Sequence, residues 1–301
     1  MSAISTETPP PRARFGDWIM ALRPRQWIKN LVVLAALLFT GFNHPAGMLW
    51  AMAGAVAVTC VISSLGYLIN DLLDIEKDRQ HPVKKNRPIA SGRLKPTAVI
   101  VYAVLLAFIG LGGAYLISLN FLYVALAYMF ITITYSTMWK HQVILDLICI
   151  AAGFVLRAYA GTVVLGVYLS PWMFVCVLLL ALLLGLGKRR HELCLLKDGA
   201  KSHRPVLDDY NRAFIDQALA MMSSASVVTY AIYAITSPAA LLHPKLVLTV
   251  PVVIYGVLRY LYLVFYCDKG GQPEELFYTD RPMYLTVAVW TATVIVAFVW
   301  H

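Results

Sequence analysis

The stretch YLINDLLDIEKDRQHPVKKNRPIASG, residues 67–92, sits between two apolar runs and decides how the chain is read. Its acids recur with the period of a helix, and a basic, proline-rich tail follows. With Asn70 set at zero and about 100° per residue, Asp74 falls at about 40°, Asp78 at about 80° and Asp71 at about 100°. Leu72, Leu73 and Ile75 point elsewhere. A helix prolonged past a membrane boundary would present one amide and three carboxylates on one narrow arc. Carboxylates so crowded repel one another unless a cation sits among them. The plain alternative is a solvated helix end, its acids paired to Lys77 and Arg79.

The rest of the chain sets that cluster at a membrane. Its 301 residues are 60% hydrophobic and 14% charged, with mean hydropathy +0.70. A soluble domain of this length exposes far more charge, so the composition points to an all-α, polytopic membrane protein. Apolar runs predict about nine transmembrane helices, at 26–42, 47–69, 95–117, 120–138, 142–165, 170–187, 213–236, 245–266 and 283–300. Roughly 20 residues cross the hydrocarbon core, and only helices of this kind satisfy their backbone there. The first run is short, and the eighth carries Pro251 and Arg259.

Lysine and arginine gather before the first run and in the second, fourth, sixth and eighth loops, while the opposite loops hold only Lys245. By the positive-inside rule the N-terminus and the acidic stretch are expected at the cytoplasmic face of a cell membrane. The net charge of +9 therefore lies on one face, where attraction to anionic membrane lipid explains part of it; no nucleic-acid partner is expected. Residues 1–17 read as a disordered cytoplasmic tail without a cleavable signal pattern, and 18–301 as one transmembrane domain. The five cysteines lack metal or disulfide spacing. The oligomeric state stays open, a homo-oligomer included.

Asn70, Asp71, Asp74 and Asp78 form an oxygen-only donor set that suits Mg²⁺, an ion commonly shared with substrate phosphates. The tail adds Lys84, Lys85, Arg87 and Arg93, with Pro82, Pro88 and Gly92 stopping the helix. A basic loop beside a magnesium site reads as a phosphate clamp. Deeper in the fifth helix, Asp146 and Arg157 share one face within about 20°, yet stand about 16 Å apart. Charges inside a membrane usually face a polar cavity, and Asp146 lies nearer the acidic cluster. The alternative is a structural ion pair with another helix, such as one involving Arg259.

Residues 70–78, NDLLDIEKD, resemble the NDxxDxxxD motif of the UbiA superfamily of intramembrane transferases, and residues 78–92 are similar to its continuation. The resemblance implies nine transmembrane helices and an active site open to the cytoplasm. It also implies Mg²⁺ and a diphosphate bound through Asn70, Asp74 and Asp78, with Asp71 as a further metal ligand. One feature departs from the family. Where most members carry a second Asp-rich motif, residues 185–211 read GLGKRRHELCLLKDGAKSHRPVLDDYN. Lys188, Arg189 and a lone Glu192 stand there, and Asp208 and Asp209 come later without DxxxD spacing.

One acidic and one basic wall fit substrates with more phosphate and fewer metals. Together with LRPRQWIKN at 22–30 and GKRRHEL at 187–193, this resembles the decaprenyl-phosphate phosphoribosyltransferase branch. That branch implies transfer of 5-phosphoribosyl from phosphoribosyl pyrophosphate to a polyprenyl phosphate, such as decaprenyl phosphate. Gln26, Lys29 and Asn30 become candidate substrate ligands beside Lys84, Arg87, Arg157, Lys188, Arg189 and Glu192. Tyr135 and Lys140, in YSTMWK, resemble the branch's phosphate-binding element; alone they read as membrane-belt residues. Asn70, Asp74, Asp78 and Asp146 are the candidate catalytic groups. The alternatives are a UbiA-type transfer from a polyprenyl diphosphate to an aromatic or other small acceptor, and a transporter. A transporter's cation site belongs near the bilayer midplane, whereas these acids crowd one boundary.

Overall fold

The structure, a computed structural model, describes residues 13–40, 44–197, 210–266 and 270–299. No strand occurs among them. The short helix α1 (Phe15–Leu22) leads into a 3₁₀ segment, Pro24–Leu34, and α2 (Ala35–Thr40). Then follow α3 (Ala46–Leu73), α4 (Ile75–Gln80), α5 (Pro96–Ile117), α6 (Leu119–Thr137), α7 (Leu145–Leu165), α8 (Pro171–Lys197) and α9 (Arg212–Thr236). Four more complete the order: α10 (Pro238–Leu242), α11 (Val250–Tyr266), α12 (Pro273–Thr279) and α13 (Arg281–Val299). Eight helical spans among the described residues are long and apolar enough to cross a membrane, α11 counted with the 3₁₀ turn before it. Of the expected tail, residues 1–12 lie outside the described residues, and α1 begins at Phe15, inside the stretch assigned to it.

The ninth expected span, 26–42, takes a different form. Arg23 sits in the left-handed region at φ 54°, ψ 60°, ending α1, and Pro24 opens the 3₁₀ turn. Eleven residues at about 2.0 Å rise and six at about 1.5 Å reach about 31 Å, close to the hydrocarbon thickness. A run too short for an α-helix thus gains its length. At three residues per turn, Trp27, Asn30 and Val33 line one face. The Trp27 indole donates to Ser64 Oγ at 3.0 Å, Asn30 reaches Ser63, and Val33 is fully buried.

The bundle is built around α3 and α7. Helices α5 and α6 pack on α3; α7 follows α6, then α8, α9, α11 and α13, with the 3₁₀ segment held between α3 and α7. Phe39 at the end of α2 meets the rings of Tyr233 on α9 and Trp290 on α13 at 5.4 and 6.0 Å, which closes the ring of helices. Lipid is as apolar as these side chains, so close packing rather than water exclusion drives the contacts. Gly161 shows the requirement: a Cβ there would collide with the Val33 carbonyl. Gly187 likewise admits the Tyr260 hydroxyl of α11 against α8.

Gly161→Val should therefore lower the thermal midpoint of the detergent-solubilised protein, by about 1–3 kcal/mol of stability, because backbone must move. Gly112→Ala, which meets nothing within 4 Å, should not lower it.

Candidate active site

Helix α3 runs past residue 69 to Leu73 and carries the acidic stretch out of the apolar layer. At Asp74 the backbone leaves helical values, φ −104° and ψ 14°, and α4 restarts at Ile75. The one-turn spacing survives, since Asp74 N donates to Asn70 O at 3.0 Å and Asp78 N to Asp74 O at 2.8 Å. The three carboxylates are met by different cations. Arg87 bridges two of them: its Nη1 lies 3.0 Å from Asp71 Oδ1 and 2.5 Å from Asp78 Oδ2. Arg23 adds a second ion pair to Asp71 and stacks over Tyr67 at 5.0 Å. Asp74 has a different cation as its partner: Lys140 Nζ donates to its Oδ1 at 2.8 Å.

The repulsion expected of this cluster is thus met by the chain's own cations, drawn from three separate elements. Lys77 and Arg79 are not the partners of these acids; Arg79 pairs with Glu76 at 2.7 Å. Burial draws the Arg23 guanidinium below its ordinary value while Asp71 opposes the shift, and an arginine so placed stays charged. No group of three or more His, Cys, Asp or Glu able to hold a metal occurs among the described residues.

The basic loop after α4 is anchored rather than free. Ile89 and Leu94 are buried in the core shared by α1, α3 and α5. Arg93 holds Asp17 of α1 at 2.7 Å and donates to the Asn86 carbonyl at 2.6 Å. Gly92 supplies the turn at φ 75°. Lys84 opens a short 3₁₀ turn in this loop and is half-buried, like Arg87.

The expected basic wall on α8 is divided by the fold. Arg189 is 1% exposed and faces inward, Nη2 lying 2.9 Å from Asp146 Oδ2, with Glu192 as its second carboxylate. Asp146, 0% exposed, also accepts from the Tyr210 hydroxyl at 3.0 Å. Asp146 thus pairs with another helix, and its partner there is Arg189 rather than Arg259. Arg259 instead makes a two-point contact with Asp280, at 3.1 and 2.8 Å. Arg190 is also interior, donating to Asp216 at 2.8 Å and lying over Phe265 at 4.4 Å. Lys188 alone of the three is half-buried.

Arg157 and Asp146 do not meet. Arg157 Nε donates to Asn30 Oδ1 at 2.9 Å, and its Nη2 reaches the Tyr128 hydroxyl. Asn30, fully buried, passes the network on to Ser63 Oγ at 3.0 Å. This network of one guanidinium with neutral partners holds the 3₁₀ segment that carries Gln26 and Lys29, both half-buried. Tyr135 is half-buried near the end of α6, and Lys140 lies in the short 3₁₀ turn that follows, Trp139–His141. Asp208 and Asp209 lie outside the described residues. Sequence reasoning missed Arg23, Tyr128 and Tyr210. Arg23 reads as a topology charge, and the two tyrosines carry no periodic signal.

The family model described as the UbiA prenyltransferase family matches residues 30–280. The chain is 31% identical over 301 residues to a decaprenyl-phosphate phosphoribosyltransferase of Corynebacterium glutamicum, covering 96% of this chain and 88% of that one. It is 33% identical over 300 residues to the enzyme of that name from Mycolicibacterium smegmatis, covering 95% and 93%. Among solved structures, a UbiA homolog from Archaeoglobus fulgidus bound to GPP and Mg²⁺ superposes with a TM-score of 0.71 at 20% identity, over 93% of this chain and 99% of that one. With its acid-bearing helix boundary, its bundle and these likenesses taken together, the chain belongs to the UbiA prenyltransferase family and is a transferase.

Proposed function

We propose that this protein transfers 5-phosphoribosyl from phosphoribosyl pyrophosphate to a polyprenyl phosphate of the decaprenyl class, releasing pyrophosphate. The observation that carries the reading is likeness to decaprenyl-phosphate phosphoribosyltransferases over nearly the whole chain. The charge balance of the site agrees with it. Arg23, Arg87 and Lys140 stand among the carboxylates, and Lys29, Lys84 and Lys188 are half-buried. Two polyanionic substrates call for cations of this kind. The product, a lipid-linked ribose phosphate, would serve as a donor for cell-envelope glycan synthesis.

In the reaction an oxygen of the lipid phosphate attacks ribose C1 as the bond from C1 to pyrophosphate breaks, and the bonding pair leaves with pyrophosphate. Attack from the opposite face inverts C1. The acceptor is already anionic, so no general base is needed, and no histidine is assigned one. Positioning and charge stabilisation dominate. Lys140 and Arg87 lie where they can exchange a carboxylate partner for a phosphate oxygen, and Lys84, Lys188 and Lys29 orient the remaining phosphates. Tyr135 and Gln26 supply neutral contacts. Asp146, Arg189 and Glu192 act by holding α7 against α8, and Asn30 with Arg157 by holding the 3₁₀ segment.

The donor set suits Mg²⁺ in kind, since that ion takes one or two carboxylates and completes its shell with water and substrate phosphate. Each ion pair of Asp74 and Asp78 occupies one carboxylate oxygen. Asn70, Asp74 and Asp78 would hold the ion, with Asp71, committed to two arginines, contributing least. When bound, it would neutralise charge on the departing pyrophosphate.

Asp74→Asn should abolish ribosyl transfer in a folded protein, and EDTA should stop the wild type until Mg²⁺ is restored. Chromatography of a reaction with phosphoribosyl pyrophosphate and polyprenyl phosphate reads both. A parallel reaction with polyprenyl diphosphate and hydroxybenzoate tests prenyl transfer, and product there alone would overturn the reading. Lys188→Ala should raise KM for phosphoribosyl pyrophosphate more than for the lipid, through loss of one charge-assisted contact. The proposed orientation, with the N-terminus and site cytoplasmic, predicts that Ser91→Cys in a cysteine-free background resists impermeant thiol reagents added outside intact cells.

A further inference from the structure

Between Lys140 and α7 the backbone takes a shape that Ile144 does not choose by itself. Ile144 has φ 68° and ψ −45°, and Leu145 N donates to Val143 O at 2.8 Å, closing a three-residue turn. This γ-turn is rare and strained, and a β-branched residue at positive φ is an outlier. Such a conformation persists only where its surroundings over-determine it. Beside the backbone bonds that open α7, the side-chain group that holds it is one hydroxyl. The Ile144 amide donates to Tyr210 Oη at 2.7 Å, and that hydroxyl donates in turn to Asp146 Oδ1 at 3.0 Å.

We propose that Tyr210 is a positioning residue of the transferase: it holds the strained Ile144 turn and thereby sets Lys140 against Asp74. The consequence for catalysis rests on the functional reading above. Tyr210 stands immediately before α9, 6% exposed in the core formed with α7, α8 and α11. Asp146, its acceptor, is held by Arg189 of α8, so the hydroxyl is fixed from two helices. From the turn the geometry passes back along a continuous hydrogen-bonded path. Asp146 N donates to Gln142 O and Gln142 N to Trp139 O, each at 3.1 Å. Lys140 lies in that same 3₁₀ turn, Trp139–His141, with its ammonium on Asp74. A return of Ile144 to negative φ would rotate the turn and carry Lys140 away from the carboxylate.

Tyr210→Phe keeps the ring and removes both hydrogen bonds. It should lower kcat about tenfold or more, since about 1 Å of misplacement costs up to about 10²-fold, with KM for phosphoribosyl pyrophosphate changing less. Hydrogen exchange should rise in the segment 139–146 and not along α8 or α9. The decisive variant is Tyr210→Phe with Ile144→Gly. Glycine adopts positive φ without penalty, so turnover should recover even though the hydroxyl is absent. Unchanged kcat in Tyr210→Phe, a double variant no better than the single one, or exchange rising throughout α8 and α9 would each overturn the proposal. Absence of ribosyl transfer in the wild type would defeat the functional reading instead, and the exchange pattern would still decide whether the latch exists.

Discussion

Four acidic side chains crowd the mouth of an apolar bundle, and the cost of leaving them uncompensated organises much of what surrounds them. Arg87 lies between Asp71 and Asp78, Lys140 reaches Asp74, and Arg93 takes Asp17. Each cation comes from a segment distant in sequence or separated by a turn. Neutralising the acids therefore draws together the start of the 3₁₀ segment, the loop after α4 and the turn before α7. A charge in a poorly hydrated site is expensive without a partner, so the ion pairs shape the rim as well as neutralising it.

The same constraint sorts the other arginines. Arg189, Arg190 and Arg259 each reach a carboxylate across helices. Arg157 reaches neutral oxygens and an aromatic face instead. These side chains lock α7, α8, α9, α11 and α13 into one frame. Arg189 and Arg190 are buried in packed interfaces, whereas among the cations proposed for phosphate Arg87, Lys29, Lys84 and Lys188 are half-buried and Lys140 is buried against Asp74. A basic cluster in sequence is thus two different things in space.

Breaks in regular helix occur where the site needs them. The α3 axis is interrupted at Asp74, so its carboxylate faces Lys140 while Asp71 and Asp78 face Arg87. The 3₁₀ segment lengthens a short run and keeps Asn30 on Arg157. The Ile144 turn redirects the chain after Lys140. Each departs from ideal geometry at a point where side chains from two or three elements hold it.

Hydropathy and charge asymmetry along the chain determined the class, the approximate spans and the place of NDLLDIEKD at a helix end, because these depend only on local composition and periodicity. The acid cluster was legible for the same reason: Asn70, Asp74 and Asp78 keep one-turn spacing. Which cation meets which acid was not legible. Arg23 lies 48 residues from Asp71 and Arg189 lies 43 from Asp146, and no periodicity encodes such pairings. A run such as KRRHE looks like one basic wall, yet about 100° between successive residues turns Arg189 and Arg190 toward different helices. Only the packing of α8 among α7, α9 and α11 decided which of these charges face a carboxylate in the interior, as Arg189 and Arg190 do, and which stay half-buried, as Lys188 does.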